Sequence, residues 1–148
     1  MQAKVYPYLT FNGTCREAMH FYQKCLGGEL YFQSLNDSEK KYYDMPGKMR
    51  NYILHASLFN GTLKLMGSDI ASENGLIHGN SIAISLQSNN KTLINKFFKK
   101  LSDGGQIIQP IKKTKWGTYF GSLIDKFNKH WLLTCNPKSN SLLGINKW

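Results

Sequence analysis

The stretch TCREAMHFYQKCLGG, residues 14–28, decides the fold, because a stretch of the same plan, KTLINKFFKKLSDGG, stands at residues 91–105. In the first, Ala18, Phe21, Tyr22 and Cys25 fall at i, i+3, i+4 and i+7, the spacing of one buried helix face. Ile94, Phe97, Phe98 and Leu101 repeat that spacing 76 residues later. Each stretch follows a turn or capping sequence, Asn12-Gly13-Thr14 or Asn89-Asn90, and each closes on a glycine pair, Gly27-Gly28 or Gly104-Gly105. The matched flanks predict an internal duplication.

Working outward, each helix is bracketed by strand-like runs rich in apolar and β-branched residues. Val5–Phe11 and Ser81–Gln87 precede the helices, and Glu29–Ser34 and Gln106–Ile111 follow the glycine pairs. The first half continues with Asn51–Phe59, the turn dipeptide Asn60-Gly61 and Thr62–Met66, which reads as a two-residue hairpin. The second half offers Thr118–Ile124, a turn around Lys126–Asn128, and Lys129–Cys135. Each half is therefore β-α-β-β-β. Eight strands with two helices exclude a doubly wound sheet and predict an α+β fold, with helices on one face of each sheet and the other face left for a partner or a ligand.

The chain is 148 residues long, which predicts one domain over 1–148, with a first module over about 3–69, a linker over about 70–79, a second module over about 80–136 and a tail over 137–148. No apolar stretch approaches the roughly 20 residues of a membrane span. Cys15, Cys25 and Cys135 form no CxxC pair, so free thiols in a reducing cytoplasm are expected. The net charge of +10 comes almost wholly from dispersed lysines, which points to a solvated surface rather than a nucleic-acid footprint. Lys112, Lys113 and Lys115 beside Trp116 are the best place for an anion.

Several blocks stand in order along the chain: Pro7-Tyr8-Leu9-Thr10-Phe11-Asn12-Gly13, Cys15–Met19 with Phe21-Tyr22 and Leu26-Gly27-Gly28, His55-Ala56-Ser57-Leu58, Leu65-Met66-Gly67-Ser68-Asp69, and Trp116-Gly117 with Gly121, Asp125-Lys126-Phe127 and Trp131. Together they resemble the PhnB-like branch of the vicinal oxygen chelate superfamily, relatives of glyoxalase I and the bleomycin-resistance proteins. The resemblance implies two modules whose mixed sheets curve around a cleft, and a homodimer. In metal-dependent members four His or Glu ligands sit on the first, fourth, fifth and eighth strands. Carried over here, those positions fall at Pro7, Met66, Ser81 and Leu132, none of which is His, Asp or Glu. No metal is expected, and no cofactor. The label demethylubiquinone methyltransferase, sometimes attached to this branch, finds no support, because no glycine-rich cofactor turn follows a strand.

The residues expected to line a ligand site are Pro7, Leu9 and Phe11 on the first strand, with His55, Met66, Ser81, Trp116 and Leu132. Ser81, Ala83 and Ser85 are expected on the ligand side of the fifth strand, and Ile82, Ile84 and Leu86 under the helix. His55 is the one candidate for acid–base chemistry. Cys15, in the first turn of a helix, is a candidate thiolate, and strand-end turns account for Asp69 and Asp125. The expected function is metal-independent binding or sequestration of a small molecule. An enzyme of lyase or dioxygenase type and a basic nucleic-acid-binding module are the alternatives.

Overall fold

The computed structural model describes residues 2–34, 52–69 and 75–138. Chain contacts divide it into two compact units, Met1–Ile77 and His78–Trp148. In the first, β1 (Tyr8–Phe11), α1 (Cys15–Leu26), β2 (Glu29–Ser34), β3 (Ile53–Asn60) and β4 (Leu63–Asp69) follow in order. In the second come β5 (Ile84–Ser88), α2 (Lys91–Ser102), β6 (Gln106–Lys113), β7 (Tyr119–Ile124) and β8 (His130–Cys135). Each unit holds one mixed four-stranded sheet, ordered β1-β4-β3-β2 or β5-β8-β7-β6. In both, the outer β1–β4 or β5–β8 pair is parallel and the other pairs are antiparallel. The α+β class, all eight strands and both helices match the sequence reading.

The helices bury the faces their spacing predicts. Ala18, Tyr22 and Cys25 are buried on α1 together with Cys15, Met19 and Leu26, while Phe21 is half-buried. Ile94, Phe97, Phe98 and Leu101 are all buried on α2. Beneath α1 lie Leu9, Phe11, Ile53, Ala56, Leu58 and Leu65, and the second sheet buries Leu86, Leu123, Trp131, Leu133 and Cys135. The space over Gly67 shows this layer closely, since a Cβ there would touch the Phe11 ring and stand 3.6 Å from Cys15 Sγ.

The second glycine of each pair does more than stop a helix. A Cβ on Gly28 would collide with the Phe59 carbonyl oxygen, and one on Gly105 with the Ile124 carbonyl oxygen, so both helix-to-strand turns press against the third strand of their own unit. Asn60, at the end of β3, secures the first of these turns by donating from Nδ2 to the Leu26 carbonyl at 2.7 Å.

Strand boundaries differ from expectation in two places that matter for the site. β1 begins at Tyr8 and not Val5, which is 95% exposed. Pro7 has no N–H to extend the ladder and contributes only its carbonyl, which accepts from Met66 N at 3.2 Å. β5 begins at Ile84, opposite Trp131, and not at Ser81, which would lie beyond the first residue of β8, His130. Ile82, expected under the helix, is therefore 82% exposed. The β3–β4 turn is Gly61-Thr62 rather than Asn60-Gly61, since Asn60 still pairs with Leu63. The start of the expected third strand at Asn51, and the whole of residues 36–48, read from the sequence as a long connection, lie outside the described residues.

Gly105 lies outside the left-handed region, so its replacement isolates the collision. Gly105→Ala is expected to destabilise the protein by about 2 kcal/mol or more in urea unfolding, through the forced shift of the β6 turn. Gly117→Ala, at φ 87° with nothing within 4 Å, should cost only about 1 kcal/mol. Equal losses at the two sites would contradict the close approach.

Candidate functional site

In a sheet covered on one side by a helix, side-chain parity decides which residues are available to a ligand. Register in the first unit sets one row across the helix-free face: Tyr8 opposite Met66, Met66 opposite Ser57, Ser57 opposite Tyr31. His55, two residues before Ser57 on β3, shares this face. Phe59 and Lys64 are opposite one another at its far end.

The centre of the row is joined by hydrogen bonds. His55 Nε2 lies 2.9 Å from Ser57 Oγ, and His55 Nδ1 lies 3.4 Å from Tyr8 Oη, with the two rings 5.9 Å apart and tilted by 34°. Ser57 is buried, His55 half-buried and Tyr8 49% exposed. Towards β2, Tyr31 meets Phe59 edge-on at 6.2 Å and donates to Glu29 Oε2 at 3.0 Å. Lys64 Nζ lies 4.7 Å from the Phe59 ring and 4.4 Å from that of Tyr6.

Of the residues expected to line the site, His55 and Met66 do lie together on this face. Leu9 and Phe11 do not: both are buried on the opposite face, under α1, with 8% and 1% exposure. The physical reason is that the helix packs against the apolar half of the β1 alternation. Apolar Leu9 and Phe11 alternate with Tyr8 and Thr10, and one residue of offset exchanges the two faces. Pro7 is half-buried just ahead of the strand, and Ser81 is exposed ahead of β5. In the second unit, Leu132 pairs with Ser85 and with Ser122 on the helix-free face and is half-buried. Trp116 is 66% exposed at the tip of the β6–β7 hairpin, with Lys115 Nζ 4.8 Å from its ring. The turn beneath it is held by Thr114 N donating to Thr118 O and by their hydroxyls, both at 2.7 Å. Tyr8 and Ser57 were missed, although the polar half of the Tyr8-Leu9-Thr10-Phe11 alternation signalled Tyr8.

Three polar residues with catalytic potential serve the scaffold instead. Asp69 caps α1 from a distance: Oδ1 accepts from Gly13 N at 2.7 Å and Cys15 N at 3.1 Å, and Oδ2 from Ile53 N at 2.9 Å. Asp125 is buried, with Oδ1 taking Phe127 N at 2.8 Å and Lys129 N at 3.1 Å and Oδ2 taking Trp131 Nε1 at 2.8 Å. Burial pushes the Cys15 thiol up from an ordinary 9.0 to about 12, with the Asp69 charge adding to the rise and Arg16 opposing it. A thiol so held is not the thiolate its helix position suggested.

The chain covers 98% of protein PA1353 from Pseudomonas aeruginosa, with 91% of its own length matched at 32% identity and a TM-score of 0.79. A PhnB protein from Bacillus cereus is 24% identical over 90% of this chain and 100% of its own, with a TM-score of 0.70. The chain belongs to the family of PA1353, and its fold is that of the PhnB-like and glyoxalase/bleomycin-resistance proteins of the vicinal oxygen chelate superfamily. Protein YjdN of Escherichia coli is 27% identical over 136 residues, spanning 86% of this chain and 91% of that protein. Solved glyoxalase/bleomycin-resistance proteins share the fold at 14% and 18% identity. No family model matches the chain.

Metal-dependent members of the superfamily set the question of whether a cation fits these sheets. The outer parallel pairs carry the same register in both units, Tyr8 with Met66 and Ser85 with Leu132. Neither pair offers a carboxylate or an imidazole to a hard divalent cation. Among the described residues, no group of three His, Cys, Asp or Glu stands close enough to hold one.

Two outcomes follow. Asp125→Asn loses the acceptor for Trp131 Nε1 and is expected to cost about 2–3 kcal/mol in urea unfolding. Cys15 has a folded-state pKa above its unfolded value, so its contribution is complete below pH 9 and is lost as pH rises towards 12. Wild type should therefore lose more stability than Cys15→Ala between pH 9 and 11, and iodoacetamide at pH 8 should label Cys15 only after unfolding. Labelling of the native thiol at the rate of a free one would contradict this.

Proposed function

We propose that the protein binds or sequesters a small, partly apolar molecule without a metal ion. The observation that carries the reading is the helix-free face of the first sheet, where hydrogen bonds link Tyr8, His55 and Ser57 and Met66 lies between Tyr8 and Ser57 in the ladder. Such a mixture of ring, thioether and a few convergent hydrogen-bonding groups suits an organic ligand. Leu132 and Ser85 on the second sheet and the exposed Trp116 are further contact candidates. The family resemblance supports a homodimer, and three buried free cysteines support a reducing, cytoplasmic setting. No helix among the described residues is long and apolar enough to cross a membrane.

The contacts of His55 favour a second reading, an enzyme of this superfamily in which His55 moves a proton between Ser57 and Tyr8 or a substrate. The two readings part on turnover: the enzyme consumes its ligand and stops in His55→Ala, and the binding protein returns it unchanged.

The binding reading is tested on EDTA-treated protein with a panel of small aromatic and amphipathic molecules, followed by thermal unfolding. A ligand at about a hundred times its Kd should add about 2.7 kcal/mol, a shift of several degrees. The same Kd is expected after zinc or nickel is restored. Binding seen only in the metal-loaded protein would overturn the proposal.

A further inference from the structure

The direction of the hydrogen bonds through His55 specifies what the ligand offers. Among the described residues, Ser57 Oγ has one hydrogen-bond partner, His55 Nε2 at 2.9 Å. Each contact allows either direction, and the assignment that leaves the buried Ser57 hydrogen paired has Ser57 donating to Nε2. The imidazole proton is then on Nδ1 and points to Tyr8 Oη at 3.4 Å, occupying an acceptor position on that oxygen. Tyr8 keeps its own O–H hydrogen for something else, on a side chain that is 49% exposed. The relay thus runs Ser57 to His55 to Tyr8 and ends in an outward donor.

We infer that Tyr8 is the specificity-determining residue of this face, donating to an acceptor oxygen of a ring-bearing carboxylate or similar oxyanion, with Ser57 and His55 as positioning residues. The inference rests on the ligand-binding reading and deepens it. The charge around the row agrees: Lys64 stands two residues from Met66 on the same face, while the Glu29 carboxylate is engaged by Tyr31 Oη at 3.0 Å. The chain as a whole carries a net +10, which draws anions to it. Met66, opposite Tyr8 in the ladder, supplies thioether surface for the ring. A ligand presenting an ammonium or only donors would meet a donor at Tyr8 and a cation at Lys64, and be rejected.

The test uses EDTA-treated full-length protein with 2-naphthoate and 2-naphthylmethylammonium, alike in ring and opposite in head group. Naphthoate should bind at least about tenfold more tightly than the amine, and Tyr8→Phe should weaken naphthoate by about tenfold with the amine unchanged, as for one charge-assisted hydrogen bond. Nitrogen-15 NMR of free wild type should show the Nδ1–H tautomer at His55, lost in Ser57→Ala while naphthoate binding weakens. An Nε2–H tautomer in wild type, or equal binding of the two probes with no effect of Tyr8→Phe, overturns the inference and leaves the binding reading standing. Failure of both probes at millimolar concentration overturns it too. The binding reading itself falls only if the wider metal-free panel is also silent.

Discussion

One short amphipathic helix can cover only one face of a four-stranded sheet. A 12-residue helix is about 18 Å long, close to the width of four strands spaced about 4.8 Å apart. With one helix per sheet and glycine turns that press it against the third strand, each unit has a buried face and a helix-free one. Side-chain parity along every strand then becomes a choice between packing and chemistry. Leu9 and Phe11 take the packing side, Tyr8 the other. The row Tyr8, Met66, Ser57, Tyr31 exists because the helix fixes the opposite row as core.

The duplicated plan was legible because it depends on short-range rules. Helix spacing at Ala18, Tyr22 and Cys25, matched by Ile94, Phe98 and Leu101, and glycine pairs ending both helices, are written within fifteen residues of one another. The site was less legible, because strand ends depend on partners far along the chain. β5 cannot start at Ser81 when β8 starts at His130, a fact that no local pattern near Ser81 carries. On β1 the local signal was present: the alternation of Tyr8 and Thr10 with Leu9 and Phe11 sorts polar from apolar. A site position at Pro7 lies one residue from Tyr8, and a displacement of one exchanges the faces.

Chemically suggestive residues divide by what their polar atoms already hold. Asp69 and Asp125 each satisfy three N–H donors, two on one oxygen and one on the other, so each carboxylate is spent on a helix cap or a turn. Cys15 loses its helix-dipole advantage to burial and to the Asp69 charge beside it, because desolvation of a thiolate outweighs partial charges from one helical turn. His55 differs. Its partners are two neutral hydroxyls, one buried and one half-exposed, so its bonds lead outward instead of closing on the scaffold.

The two units keep one backbone register and diverge in what it displays. Tyr8 opposite Met66 and Ser85 opposite Leu132 are the same ladder position in the two sheets, so the pairing is common to both while side chains on the helix-free face are free to differ. Core positions had no such freedom, since Phe98 and Ile111 already crowd Gly121, and Phe11 and Cys15 crowd Gly67. A hard cation asks for several charged or strongly basic donors within about 2–2.6 Å, and neither pair presents one. An organic molecule asks for less: surface to lie on, and a small number of aimed hydrogen bonds. On the proposed reading, Tyr8, Met66 and the His55–Ser57 pair supply that in a single row on the helix-free face of the first sheet.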